Sequence, residues 1–176
     1  GKHLWIDHLK KGRYVVKDFD HHQECLQIGY RFANHANHTF NAISPVVEAE
    51  TDDLRISLVH GSVCKDISIS IRKTPAVMRL NDRMLKKQEF APSWLLKMLA
   101  QFVAIKSNII ISGLPGAGKT ELVKYLSQFI DASQRVITIE DTYELRYREL
   151  HPKSDCVSMK VNDRFTYDQA IKACLR

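Results

Sequence analysis

Eight residues restrict this chain more than any others: Gly113-Leu114-Pro115-Gly116-Ala117-Gly118-Lys119-Thr120. They satisfy the spacing G-x-x-x-x-G-K-[ST] at every fixed position. Gly113 lets the chain leave a strand sharply. Gly116, Ala117 and Gly118 are small enough for backbone N–H groups to close around phosphate oxygens, which a larger side chain would obstruct. Leu114 and Pro115 complete the cradle. Lys119 is placed to reach the β- and γ-phosphates, the Thr120 hydroxyl to ligate Mg²⁺, and the start of the next helix adds partial positive charge at the same point. With glycine at about 7% of residues, chance matches to four fixed positions arise on the order of once in a hundred chains of this length. A dinucleotide-binding G-x-G-x-x-G reading fails, because the spacing differs and Lys119-Thr120 would go unexplained.

The flanking sequence supplies the context that such a loop requires. Asn108-Ile109-Ile110-Ile111-Ser112 reads as a strand buried on both faces. Leu122, Val123, Leu126, Phe129 and Ile130 then share one helical face, and Val136 to Ile139 reads as a second buried strand. This order predicts a βαβ unit with parallel pairing and a right-handed crossover. Glu140 and Asp141 end the second strand, where strand termini of a parallel sheet face the ligand crevice. They are candidates to sit beside Mg²⁺ or the attacking water; the alternative is that Asp141 or Thr142 merely caps a helix.

The first part of the chain has a different pattern. Leu4 to His8 and Arg13 to Phe19 flank a turn at Leu9-Lys10-Lys11-Gly12. Asp20 can cap a helix running through about Asn37, with Cys25, Leu26, Tyr30, Phe32 and Ala33 on its apolar face. Asn41 to Glu50 reads as a strand that Pro45 confines to an edge or bends. Leu54, Ile56 and Leu58 alternate with polar residues, as do Ile67, Ile69 and Ile71. A two-residue turn at Gly61-Ser62 would pair Ile56 with Ile67 and Leu54 with Ile69, leaving Arg55 and Arg72 on the opposite, polar face. Thr74-Pro75 ends this pattern. The expected division is residues 1–75, an α+β domain of antiparallel sheet and helix; 76–91, a polar linker; and 92–176, an α/β domain opened by a helix whose first turn holds Pro92 and whose apolar face is Leu95, Leu96, Leu99, Phe102 and Val103. Cys156 to Val161 is interrupted by Ser158 and Lys160 and does not read as an apolar strand ending in an acid, and the tail from Thr166 reads as helix.

Composition narrows the function classes. The 176 residues carry 26 Lys+Arg against 20 Asp+Glu, a net charge of +6, which suits an anionic partner such as a nucleotide, nucleic acid or acidic lipid, and equally an ordinary solvated surface. The longest apolar stretches are a few residues, far short of the roughly 20 that span a bilayer. The start shows no signal-peptide pattern. Cys25, Cys64, Cys156 and Cys174 are widely separated, as for reduced thiols in a cytosolic protein. The pairs His21-His22 and His35/His38 lack a third ligand at metal spacing and read as surface histidines.

The stretch Asn108 to Gly113 running into the phosphate loop, followed by Ile137-Thr138-Ile139-Glu140-Asp141-Thr142-Tyr143-Glu144-Leu145, closely resembles the traffic ATPases of the type II/type IV secretion superfamily, which power pilus assembly, protein secretion and conjugative DNA transfer. The second stretch looks like that family's Asp box. Arg55-Ile56-Ser57 and Ile69-Ser70-Ile71-Arg72-Lys73 resemble the N-terminal domain of the conjugation and Tad-pilus branch, and Phe165 to Arg176 looks like the helix before the Walker B strand. The resemblance implies an N-terminal α+β domain followed by a partial α/β RecA-like P-loop NTPase domain, in a hexameric ring with ATP bound between the domains. It implies that Gly113, Gly118, Lys119 and Thr120 form the Walker A phosphate and Mg²⁺ site, that Glu140 is the Asp-box acid, and that Arg55 and Arg72 reach toward the nucleotide; with the strand-end position, this makes Lys119 and Glu140 the catalytic candidates and Thr120, Glu140 and Asp141 the metal-side ones. The loop His60-Gly61-Ser62 departs from the family in lacking its proline-rich turn.

The family continues into a catalytic Glu and a His box beyond the point matching Arg176, so the resemblance implies an excerpt of a longer ATPase, not competent for hydrolysis by itself. The implied setting is cytoplasmic, peripheral at the cytoplasmic face of a membrane and against membrane-embedded secretion or pilus platform proteins. Two other readings stay open: a RecA-like nucleic-acid motor, which the net charge allows although no aromatic-studded basic stripe marks it, and a non-hydrolysing module that uses ATP only for assembly.

Overall fold

The structure, a computed structural model, describes residues 3–17, 19, 22–51, 53–88 and 90–175. The chain divides into two compact units, Gly1–Thr74 and Pro75–Arg176.

The first unit opens with strands β1 (Leu4–His8) and β2 (Gly12–Val16), an antiparallel hairpin in the register Leu4 to Val16. Its turn is closed by His8, whose Nδ1 accepts the N–H groups of Lys10 and Lys11. Helix α1 (His22–His35) follows; the expected Asp20 cap lies outside the described residues. A three-stranded antiparallel sheet then forms in the order β3 (Val46–Glu50), β4 (Leu54–Val59), β5 (Ser68–Lys73). The strand expected from Asn41 starts only after Pro45, because the Asn41 side chain accepts the N–H groups of Ile43 and Ser44 and holds a turn there. As that proline requires, β3 is an edge strand.

The register of β4 and β5 corrects the sequence expectation. Ile56 pairs with Ile71 and Leu58 with Ile69, four residues away from the pairing that a turn at Gly61-Ser62 would impose. An even shift keeps every side chain on its expected face. The longer loop ties itself with local bonds: His60 Nδ1 meets Ser62 Oγ at 2.9 Å, and Cys64 Sγ lies 2.6 Å from Asp66 O. Ile67 is thereby released from the ladder to enter the core at 2% exposure. Gly29 of α1 makes room for it, since a Cβ at that position would stand 2.7 Å from Ile67 Cδ1. The core under α1 is Ala33, Phe40, Val47, Ala49, Ile56, Leu58 and Ile67.

In the second unit, residues 76–91 are more than a linker. They form α2 (Asp82–Gln88), and Leu80 and Leu85 are buried together with Leu96, Tyr125 and Leu126. Pro92 is the N-cap of α3 (Ser93–Ala104). Leu96, Leu99 and Val103 face this core, whereas Phe102 stays partly exposed. Helix α4 (Lys119–Ser127) packs against it through Leu122, Tyr125, Leu126 and, just beyond its end, Phe129. Residues 108–112 form no strand: Ile110 is 94% exposed, and Ile111 packs against this core. A strand buried on both faces needs a partner along its edge, and β6 (Val136–Glu140) pairs instead with β7 (Cys156–Lys160), in parallel. Cys156 to Lys160 is therefore a strand despite Ser158 and Lys160, since its ladder bonds come from the backbone. It ends in Lys160 and Val161, not in an acid.

Between these strands α5 (Tyr147–Leu150) is held to α4 by His151. The Ser127 hydroxyl donates to Lys124 O at 2.6 Å, so its oxygen accepts from His151 Nε2–H at 3.0 Å. The His151 ring lies against buried Tyr147, with 4.5 Å between centroids. Helix α6 (Tyr167–Cys174) begins at a capping box between Thr166 and Gln169. No helix among the described residues is long and apolar enough to cross a membrane.

Two measurements check this packing. Leu58 is fully buried, so Leu58→Ala should cost about 2–5 kcal/mol in urea denaturation, whereas Leu9→Ala on the exposed hairpin turn should stay within about 0.5 kcal/mol. Burial holds the pKa of His151 below its ordinary value. The unfolded imidazole then takes up a proton before the folded one does, so this contribution is present above about pH 6.5 and lost as pH falls below it. The urea midpoint should fall on acidification in the wild type and fall less in His151→Gln; identical slopes would show that the ring is not held neutral.

Candidate phosphate-binding site

The loop from Gly113 to Thr120 ends on the first residues of α4. Its backbone needs glycine at two places: Gly116 has φ 80° and Gly118, the N-cap of α4, has φ 88°. Both lie in the left-handed region, which side chains with a Cβ rarely enter. Ala117 N–H donates to Leu114 O at 3.1 Å and sets the turn between them. Gly113, Leu114, Pro115, Gly116 and Ala117 are exposed, and no side chain caps α4. The open helix N-terminus and loop amides suit an anion.

Lys119 is the first residue of α4, and its ammonium curls back over the loop. Nζ donates to Gly113 O at 2.8 Å and to Leu114 O at 2.9 Å. These neutral carbonyls hold the cation at the place where phosphate oxygens would compete for it with full charge.

Thr120 comes next. Its Oγ1 donates to Glu144 Oε2 at 3.3 Å. A hydroxyl beside a carboxylate is a hard-oxygen set of the kind that Mg²⁺ takes, alongside water and phosphate. Glu140, at the end of β6, acts one step further back: its Oε2 accepts Glu144 N–H at 2.9 Å and Leu145 N–H at 2.8 Å. It thereby fixes the backbone that presents Glu144. Asp141 is exposed, and Thr142 is buried and receives Glu144 N–H on its carbonyl at 2.7 Å. The structure thus brings Thr120, Glu144 and Glu140 together and leaves Asp141 at the surface. Glu144 was within the quoted Asp-box stretch but had no role assigned from sequence. Its only signal was an acid four residues after Glu140, and the turn that folds it back toward α4 is not encoded in any spacing.

Further along α4, Lys124 is buried with Nζ 3.7 Å from Glu121 Oε1, and Glu121 Oε2 accepts Arg79 N–H at 3.0 Å. Tyr125 OH donates to Asp82 Oδ1 at 3.0 Å, and burial first, then Asp82, pushes its pKa up. The periodicity of the helix singled out neither Lys124 nor Tyr125 as buried, because it registers only apolar side chains.

In the first unit, Arg55 and Arg72 stand directly opposite each other on β4 and β5, on the face away from the core. Two like charges in register repel. Glu48 on β3 relieves this, with its Oε2 3.6 Å from Arg55 Nη2.

Comparison with known proteins places this chain in a family. The family model for type II/IV secretion system proteins matches residues 41–176. An uncharacterized protein of Bacillus anthracis is 28% identical over 180 residues, covering 100% of this chain and 40% of that protein. The type IV secretion system protein VirB11 of Brucella suis is 30% identical over 156 residues, covering 75% of this chain and 43% of its own length, and VirB11 of Bartonella quintana is 44% identical over 64 residues, covering 36% and 17%. The crystal structure of the Brucella suis VirB11 ATPase in complex with sulphate superposes with a TM-score of 0.41 at 25% identity, covering 99% of this chain and 58% of that one, a likeness too loose to add weight. The chain spans less than half the length of these curated relatives. Since the family match takes in both the antiparallel sheet of the first unit and the glycine loop of the second, the chain belongs to the type II/IV secretion system protein family.

Proposed function

We propose that this chain is the ATP-binding part of a secretion, pilus-assembly or conjugation motor that couples ATP hydrolysis to macromolecular transport as a homohexamer. The observation that supports it best is the loop itself: left-handed Gly116 and Gly118 lead into an uncapped helix, and Lys119 is parked on the carbonyls of Gly113 and Leu114. In this reading the backbone N–H groups of the Gly113–Thr120 loop, which Pro115 lacks, hold the β- and γ-phosphates, and Lys119 moves from the carbonyls to phosphate oxygen. Mg²⁺, held by Thr120 with Glu144 beside it, would neutralise phosphate charge. Glu140 keeps Glu144 in place through the two backbone N–H groups it accepts. Arg55 and Arg72 act as cations toward the nucleotide, their joint field favouring an anion. The protein works at the cytoplasmic face of a membrane with platform proteins of a secretion or pilus machine. The names of the VirB11 relatives, type IV secretion system proteins, support this assignment.

Three measurements test the reading. Lys119→Ala should abolish ATP binding in titration calorimetry while leaving the fold intact; undiminished affinity would remove the phosphate-site assignment. Arg72→Ala should weaken ATP more than ADP if its contact is to the γ-phosphate, and unchanged affinity for both would return it to the surface of the sheet. Hydrolysis requires a group that orients the attacking water. Residues 1–176 should therefore release phosphate from ATP at the background rate while the complete protein turns it over. Robust turnover by this chain would show that Glu140 or Glu144 suffices.

A further inference from the structure

A cradle of backbone amides and one lysine reads phosphate and nothing else, so it cannot by itself prefer ATP to inorganic tripolyphosphate. The base needs a surface of its own beside the loop. The second unit has several aromatic residues near α4, but most are engaged. Tyr125 is buried and bonded to Asp82, Phe129 packs edge-on against Tyr125 at 5.4 Å, and Tyr147 is buried against His151.

Phe90 is different. It lies just before Ala91 and the α3 cap at Pro92, outside the buried core, and is 38% exposed. Its ring edge lies against Gly118: Cε2 and Cζ stand 3.6 and 4.0 Å from the position a Cβ would occupy there. A large apolar ring is thus kept partly open against Gly118, the N-cap of α4 at the end of the loop.

We infer that Phe90 is the stacking platform for the base of a nucleoside triphosphate whose phosphates occupy the Gly113–Thr120 loop. The inference rests on the phosphate-site reading above and adds to it the part of the ligand that the loop cannot recognise. A phenyl ring offers a flat apolar face to a base, and such stacking is tolerant of base identity. The ring keeps ordinary van der Waals distance from Gly118, which is a glycine because of its φ of 88° and not to make room for the ring.

The test compares ATP with inorganic tripolyphosphate, each with Mg²⁺, in titration calorimetry on the chain and two variants. Phe90→Ala should weaken ATP on the order of tenfold and leave tripolyphosphate unchanged. Phe90→Trp should keep ATP affinity, and its indole emission should be quenched by ATP but not by tripolyphosphate. Unchanged ATP affinity in Phe90→Ala, or an equal change for both ligands, would overturn the inference; tighter binding of both would mean that the ring obstructs the loop. Should Phe90→Ala fail to fold, equal quenching of Phe90→Trp by the two ligands, or none by either, overturns it as well. A wild-type chain that binds neither ligand would overturn the phosphate-site reading and this inference with it, whereas loss confined to the Phe90 comparison leaves that reading standing.

Discussion

Helix α4 begins on a glycine in the left-handed region, with no side chain to satisfy its first N–H groups. Ordinary helices meet this need with Ser, Thr, Asp or Asn at the N-cap. Leaving the end open costs stability, and the cost is sensible where an anion supplies the missing acceptors. The same opening accounts for the local sequence. Gly116 and Gly118 are required by their backbone angles, and Lys119 is drawn back onto the carbonyls of Gly113 and Leu114, the nearest oxygens available to a cation at that helix end.

The rest of the second unit is organised around that helix by polar contacts at helical spacing. On one side, Thr120 and Ser127 reach Glu144 and His151, which flank α5 between the parallel strands. On another, Glu121 and Tyr125 reach Arg79 and Asp82 at the start of the unit. Residues 76–91 and the loop after β6 are thus both fastened to the helix whose first two residues are Lys119 and Thr120. Any shift of that helix is felt on both sides, because each contact is a directional hydrogen bond with little slack.

The first unit depends on volume more than on polar contacts. Gly29 leaves a space in α1, Ile67 fills it, and the pairing of β4 with β5 moves by four residues to allow this. Alternation identified Leu54, Ile56, Leu58, Ile67 and Ile69 as core-facing, though Ile71 stays half exposed, because it depends only on the two-residue period of a strand. It could not identify the register, since registers four residues apart present the same faces. The choice between them was made by the His60 to Ile67 loop and by the gap at Gly29, two features remote in sequence. Arg55 and Arg72 come opposite each other only in the register that results.

Sequence by itself determined what depends on local chemistry. It marked the glycine loop of residues 113–120, where glycine and lysine at set spacings leave few alternatives, and it located β1, β2, the helix α6 (Tyr167–Cys174) and the faces of the central hairpin. It singled out Glu140, though not the two backbone N–H groups that its carboxylate accepts. Tertiary structure decided what depends on partners. Ile109 to Ile111 are β-branched, yet without a neighbouring strand they form none; Cys156 to Lys160 is interrupted by polar residues, yet pairs with β6 because a ladder is made by backbone groups. The acid beside Thr120 is Glu144, delivered by a turn that Glu140 caps. The physical reason is the same in each case: spacing along a chain fixes which face a side chain takes, whereas its neighbour is set by which other segment can satisfy its hydrogen bonds and fill its space.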